Sequence, residues 1–256
     1  MIQTARNRDQ VPILVYHRVH PDDDAPPIVA GEYCGHVLLS NFVRQMRYLD
    51  KHGFSVITYR ELYDWLQDKA SLPPRPVLID FDDNRGVVYD YAAPVLAEYG
   101  WPATCFVITA LADGKLPEIP HEGWYSAMNW QQLAQLCEAG WTIGAHTQTH
   151  ANLRKLDEAG YQDRIEAELR GCCEDIEREL GCTPFCFAYP QGQWNEAVEA
   201  VVSRFFPIAR HWHEFSPFHY VTKSTNPLRL PAHNISEQLS FADFVAFVEQ
   251  TADMVQ

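Results

Sequence analysis

No stretch of these 256 residues stays apolar for the 18 or more positions that a membrane-crossing helix needs, so no transmembrane segment is expected. The opening "MIQTARNRDQVPILVYHRV" also lacks the apolar core and small-residue cleavage site of an export leader. The sequence as it stands leads us to expect a cytoplasmic protein, or an extracytoplasmic one if a leader has been removed. Positive charge is scarce. Twenty Lys and Arg against 34 Asp and Glu give a net charge of −14, which argues against nucleic-acid phosphate as a partner and is equally what an ordinary solvated surface carries. Repeats, low-complexity tracts and linkers are missing, so one domain over residues 1–256 is expected. The seven cysteines (34, 105, 137, 172, 173, 182 and 186) are odd in number and scattered, which suits reduced, mostly buried thiols. Cys182 and Cys186 lack the second pair that a structural zinc site uses.

The composition is globular, with 46% hydrophobic, 12% aromatic and 21% charged residues. Apolar, β-rich runs alternate with helical periodicity: "VPILVYH" then 40–52, "FSVIT" then 59–68, "RPVLIDF" then 87–99, "ATCFVIT" then 130–139. The pattern continues with "WTIGAH" then 158–181, "PFCFAYP" then 194–204, "FPIAR", and "PLRLPAHNI" before a last helix near 240–254. Repeated βα units predict an α/β fold with a mainly parallel sheet, either doubly wound or closed into a distorted barrel, with chemistry at the carboxyl ends of the strands. Ser40, Thr58 and Asn129 are placed to cap helices, and Gly140 to end one. Segments 20–36 and 111–128 lack periodicity and are expected to be long loops framing a pocket.

Three polar clusters fall where strands should end: "IDFDDN" (79–84), "AHTQTH" (145–150) and "AYPQG" (188–192). Carboxylates and imidazoles half-buried at such points are costly unless they pair or bind a cation. Two histidines and one carboxylate would hold a borderline divalent ion and leave positions open for water and substrate. Zinc is the first choice, with cobalt, nickel and manganese as alternatives. A His-x-x-x-His pair alone arises often by chance, and the acidic cluster is what gives this one weight. Asp82 and Asp83 should face opposite ways on an extended chain, so one can bind the ion while the other stays free as a general base. Asp80 shares the facing of Asp82 and is left without a role.

In order, "VPILVYHRV", "LIDFDDN", "WTIGAHTQTHANL" and "FCFAYPQGQWNE" resemble the polysaccharide deacetylases of carbohydrate esterase family 4, the nodulation-type deacetylase domain, over about residues 11 to 236. The resemblance implies a distorted (β/α) barrel and the metal-dependent removal of N-acetyl groups from an amino sugar or polysaccharide. It implies Asp82 as the general base and Asp83, His146 and His150 as metal ligands. It also implies an oxyanion-binding N–H at Gln191 and a late histidine, His233, as the acid for the leaving amine, with His17 of "VYHRV" as the rival.

Departures from the family pattern bear on activity. Asn84 stands where a glycine is usual; asparagine tolerates left-handed backbone, and its side chain is expected to narrow the pocket. Ala188 stands where the commonest third motif has an arginine paired with the base, and Arg229 and Arg85 are the substitutes considered. Gln191 replaces a frequent tyrosine. Of Trp101, Trp124, Tyr125, Trp130, Trp141, Trp194 and Trp212, Trp194 is the best placed to stack on a sugar ring; the rest read as packing. "RHWHEF" (210–215) offers His211 and His213 on one face without further ligands. Two other readings stay open: hydrolysis of a soluble non-polymeric amide or imide, and saccharide binding without turnover. The oligomeric state is left open.

Overall fold

The computed structural model describes residues 10–25, 35–116, 126–212 and 217–250. Its strands are β1 (Ile13–Tyr16), β2 (Arg18–His20), β3 (His36–Leu38), β4 (Ser55–Val56), β5 (Pro76–Asp82), β6 (Thr104–Val107), β7 (Thr142–Ala145), β8 (Cys186–Ala188), β9 (Ile208–Arg210) and β10 (His233–Asn234). The helices are α1 (Leu39–Lys51), α2 (Tyr59–Leu66), α3 (Ala93–Tyr99), α4 (Thr109–Ala112), α5 (Trp130–Glu138), α6 (Leu153–Glu158), α7 (Gln162–Leu180), α8 (Glu196–Val202) and α9 (Phe241–Glu249).

The main sheet is parallel, in the order β10-β1-β5-β6-β7-β8-β9, with β4 alongside the start of β5. Its two ends approach through Leu230, which bridges Arg210 shortly before β10 begins. The result is the distorted (β/α) barrel that the βα repeat allowed, in preference to an open doubly wound sheet. Side chains alternate between two cores, as a pleated strand requires. Leu14, Tyr16, Ile79, Phe81, Val107 and Phe187 pack under the helices, while Val15, Leu78, Phe106, Cys186 and Ala188 fill the interior. Helix α2 adds Tyr59, Leu62 and Trp65 to that inner core. Gly144 of β7 faces the interior, where an added Cβ would lie 2.6 Å from the Phe106 ring, so only glycine lets β7 pass there.

Thr58 and Asn129 cap α2 and α5, each with a complete capping box. Ser40 does not cap α1: the N-cap is Leu38, and the Ser40 hydroxyl instead donates to Asp22 at 2.5 Å. The expected helix 158–181 is α7, which starts at Gln162; a separate short helix, α6, ends at Glu158, and Gly160 at φ +78 parts the two. The expected loops are shorter than 20–36 and 111–128, since β2 and β3 pair in a two-stranded sheet at the first and α4 reaches Ala112 at the second. Among the described residues no helix is long and apolar enough to cross a membrane. The described cysteines are free, and Cys105, Cys172 and Cys186 are buried; Cys34 lies outside the described residues.

Candidate metal and catalytic site

At the carboxyl end of β5 the chain leaves the strand abruptly. Asp83 and Asn84 take φ +69 and +39, so the two acids diverge because the backbone turns left-handed, not because a pleat alternates. Asparagine is among the few non-glycine residues that accept this conformation readily. Asn84 also secures the turn: its Oδ1 accepts from Ile108 N at 3.1 Å and its Nδ2 donates to Met128 O at 3.3 Å. The side chain is buried and both ends are bound to backbone.

The turn brings Asp83 to the two histidines that follow β7. Asp83 Oδ1 lies 3.5 Å from His146 Nε2 and 3.6 Å from His150 Nε2, and one ligand atom from each residue falls within 4.8 Å of the others. These separations exceed a good hydrogen bond and match the spacing of about 3.3 Å between two donors of a tetrahedral ion with bonds of about 2.0–2.1 Å. His146 Nδ1 lies 2.7 Å from Ala188 O, and a carbonyl only accepts. Nδ1 therefore carries the hydrogen and the Nε2 lone pair faces Asp83, the second-partner arrangement usual for a metal-binding imidazole. Asp83 Oδ1 is buried without a hydrogen bond among the described residues. An orphaned buried oxygen between two imidazole nitrogens fits a divalent cation. Burial raises the Asp83 pKa, but His150, His146 and Arg85 outweigh it and hold the carboxyl well below its usual range.

The loop carrying both histidines is fixed from below by Glu168 of α7. This carboxylate accepts from Gln148 N at 3.1 Å, Thr149 N at 2.9 Å and Thr149 Oγ1 at 2.7 Å. Thr147 and His150 are left-handed at φ +65 and +59.

Asp82 sits beside this candidate ion-binding set with its environment divided between two oxygens. Oδ1 accepts from Arg210 Nη2, while Oδ2 is buried without a hydrogen bond and lies 3.9 Å from His17 Nε2. Burial raises the Asp82 pKa, and Arg210, His146 and His17 together bring it below the usual carboxylate value, so Asp82 is ionised at neutral pH. Asp80 faces the same interior. Its Oδ2 accepts from Arg210 Nε at 3.0 Å and from Tyr59 O–H at 2.7 Å, and burial, countered in part by Arg210, raises its pKa to about 7.

Of the other residues singled out from sequence, the structure gathers some and separates others. Gln191 follows β8 at φ +58, with its side-chain Oε1 accepting from Asn152 Nδ2 at 2.8 Å. His17 lies against Asp82, its pKa lowered by burial and raised in part by Asp82 and Asp83. His233 is a correction. It pairs in register with Leu14 and so points to the helix-covered face, opposite to Asp82, with its ring against Phe218 and Phe247 and its Nε2 accepting from His219 N at 2.8 Å. It is therefore not placed to donate to a leaving group. Trp194 has the Arg229 guanidinium 4.4 Å above its ring, so that face is taken, and Trp212 instead stands edge-on to His17 at 5.9 Å. Neither suggested substitute for the missing arginine reaches Asp82: Arg229 pairs with Glu199, and Arg85 donates to Asp83 Oδ2 at 3.2 Å. Trp124, Tyr125, His213 and Glu214 lie outside the described residues.

Arg210 and Glu168 went unrecognised in the sequence. The signal for Arg210 was an arginine at the end of the apolar run "FPIAR", at an inward position; for Glu168, which lies within a long amphipathic helix, there was none.

Comparisons with known proteins agree with this fold. The sequence profile of the polysaccharide deacetylase family matches residues 69–205. A poly-beta-1,6-N-acetyl-D-glucosamine N-deacetylase of Staphylococcus aureus is 26% identical over 172 residues, 64% of this chain and 57% of that protein, so the chain spans little more than half the length of that relative. Among solved structures, the Streptococcus pyogenes deacetylase PplD in complex with acetate superposes with a TM-score of 0.78 at 21% identity, covering 94% of this chain and 99% of that one. A de-N-acetylase from Aggregatibacter actinomycetemcomitans superposes with the same score at 18% identity, covering 93% and 100%. With the profile extending over more than half of the sequence and the barrel shared, this chain belongs to the polysaccharide deacetylase family.

Proposed function

We propose that the protein is a metal-dependent hydrolase that removes N-acetyl groups from an N-acetylated amino-sugar polymer. The observation that carries this reading is the buried, unbonded Asp83 Oδ1, 3.5 and 3.6 Å from the Nε2 atoms of His146 and His150, next in sequence to an Asp82 whose Oδ2 is also buried and unbonded. Asp83, His146 and His150 are the residues that would hold one divalent ion, zinc first. When bound, such an ion supplies Lewis acidity toward a carbonyl oxygen and a water molecule.

The chain's own groups do the rest. Ionised Asp82 accepts a proton from the water through Oδ2 as the water oxygen bonds to the acetamide carbon. The backbone N–H of Gln191 faces the oxygen on which negative charge develops. When the C–N bond breaks, the leaving amine takes a proton, and His17, whose Nε2 lies 3.9 Å from Asp82 Oδ2, delivers it. Burial keeps His17 neutral at rest, so the proton it delivers is the one that Asp82 took from water. Acetic acid and a free amine result, which separate as acetate and ammonium when the acid's proton passes to the amine, so the proton count balances. Trp212, in a T-shaped pair with His17 at 5.9 Å, is the aromatic side chain proposed to wall the substrate.

The relatives' substrate, a β-1,6-linked N-acetylglucosamine polymer, is the first to test. Acetate release by zinc- or cobalt-loaded protein should occur with N-acetylglucosamine oligomers and rise with chain length. Acetate from monomeric N-acetyl sugars alone would point to a small soluble substrate. Metal and saccharide binding with no acetate from any of them would establish the non-hydrolytic reading.

A further inference from the structure

Position 188 lacks the arginine that the commonest third motif pairs with the base, yet Asp82 is not without a guanidinium. We propose that Arg210 is the positioning residue for Asp82, performing from β9 the task that an arginine at position 188 would perform from β8. This rests on Asp82 being the base.

Four observations support it. Ala188 and Arg210 are direct partners in the parallel β8–β9 ladder, so their side chains enter the barrel next to each other, about 4.8 Å apart, and a methyl group at 188 leaves the larger neighbour room. Arg210 is fully buried, and its planar fork bridges two carboxylates on the same face of β5, Nε to Asp80 Oδ2 and Nη2 to Asp82 Oδ1. Asp80 is anchored in turn by the Tyr59 hydroxyl, and the guanidinium rests 4.5 Å over the Phe106 ring, so the fork has little freedom to turn. With Oδ1 engaged, Asp82 presents only Oδ2 toward His17 and the ion-binding set. A carboxylate pinned by one oxygen keeps the other in a fixed direction, which is what a base needs.

A lysine at 210 would keep the charge but not the fork. The test compares metal-loaded wild type with Arg210→Lys, Arg210→Met, and the double variant Ala188→Arg/Arg210→Met, by kcat and KM for acetate release, calorimetric zinc binding and thermal unfolding. Arg210→Lys should fold, bind zinc and substrate as wild type does, and lose about a hundredfold in kcat. Arg210→Met should also lose thermal stability, and the double variant should recover both stability and about tenfold or more of the lost kcat. Unchanged kcat in Arg210→Lys would overturn the proposal, and so would a folded double variant no better than Arg210→Met. If Arg210→Met does not fold, the KM-against-kcat split in Arg210→Lys decides. A wild type that binds zinc and releases no acetate defeats the proposed reaction itself, a result distinct from equal turnover by wild type and Arg210→Lys.

Discussion

Five of the eight described non-glycine residues with left-handed backbone surround the candidate site: Asp83, Asn84, Thr147, His150 and Gln191. Each costs on the order of 1–2 kcal/mol relative to ordinary backbone, and such strain persists only where neighbours over-determine it. Here the neighbours are identifiable, with the Asn84 amide tied to Ile108 and Met128 and the Gln191 amide to Asn152. Asp80 shows the electrostatic side of the same economy, since one guanidinium serves two buried acids. In the unfolded chain its carboxyl titrates near about 3.9, while the native carboxyl titrates at about 7. Between those values the native state holds a proton that the unfolded chain has shed, so this group's contribution to stability falls as pH rises through that window. Asp80→Asn removes the titration. In urea unfolding, wild type should lose more stability than this variant between pH 5 and pH 8, and equal losses would contradict the assignment.

At the scale of elements, the site is a property of strand ends and of what steadies them. β5 delivers Asp80 and Asp82 to the interior by alternation, β7 hands the chain to His146, and α7 supports the 147–150 turn through Glu168. β7 can lie close to the inner core because of Gly144, where a Cβ would meet Phe106 at 2.6 Å and Cys186 Sγ at 3.0 Å. Gly144→Ala should cost about 1–3 kcal/mol and lower the melting temperature by about 2–4 °C per kcal/mol. An unchanged melting temperature would show that the inner core is looser than described. Much of this level was legible beforehand: the βα alternation, the caps at Thr58 and Asn129, and the Asp-Asp and His-x-x-x-His clusters all depend on local pattern. What was not legible depends on pairing across the sheet. Nothing in "PAHNI" reveals that His233 faces the helices, because facing is set by register with β1. Likewise, Arg210 meets Asp82 only because the sheet curls to bring β9 opposite β5.

For the whole molecule, the proposed ion-binding set joins strand ends that are distant in sequence, so a bound ion should stabilise the native barrel alone. Saturating zinc should raise the melting temperature by mass action, a chelator should reverse the rise, and His150→Ala should abolish it. A zinc-induced shift that survived His150→Ala would place the ion elsewhere. The central claim is a division of labour at one site, Asp83 with the histidines for the ion and Asp82 for the proton. The most direct test measures zinc stoichiometry and acetate turnover on a β-1,6-linked N-acetylglucosamine oligomer with the same preparations of wild type and Asp82→Asn. One zinc per chain in both proteins, with acetate from the wild type only, is the predicted result. Zinc lost together with acetate in Asp82→Asn, or acetate retained, would contradict the account.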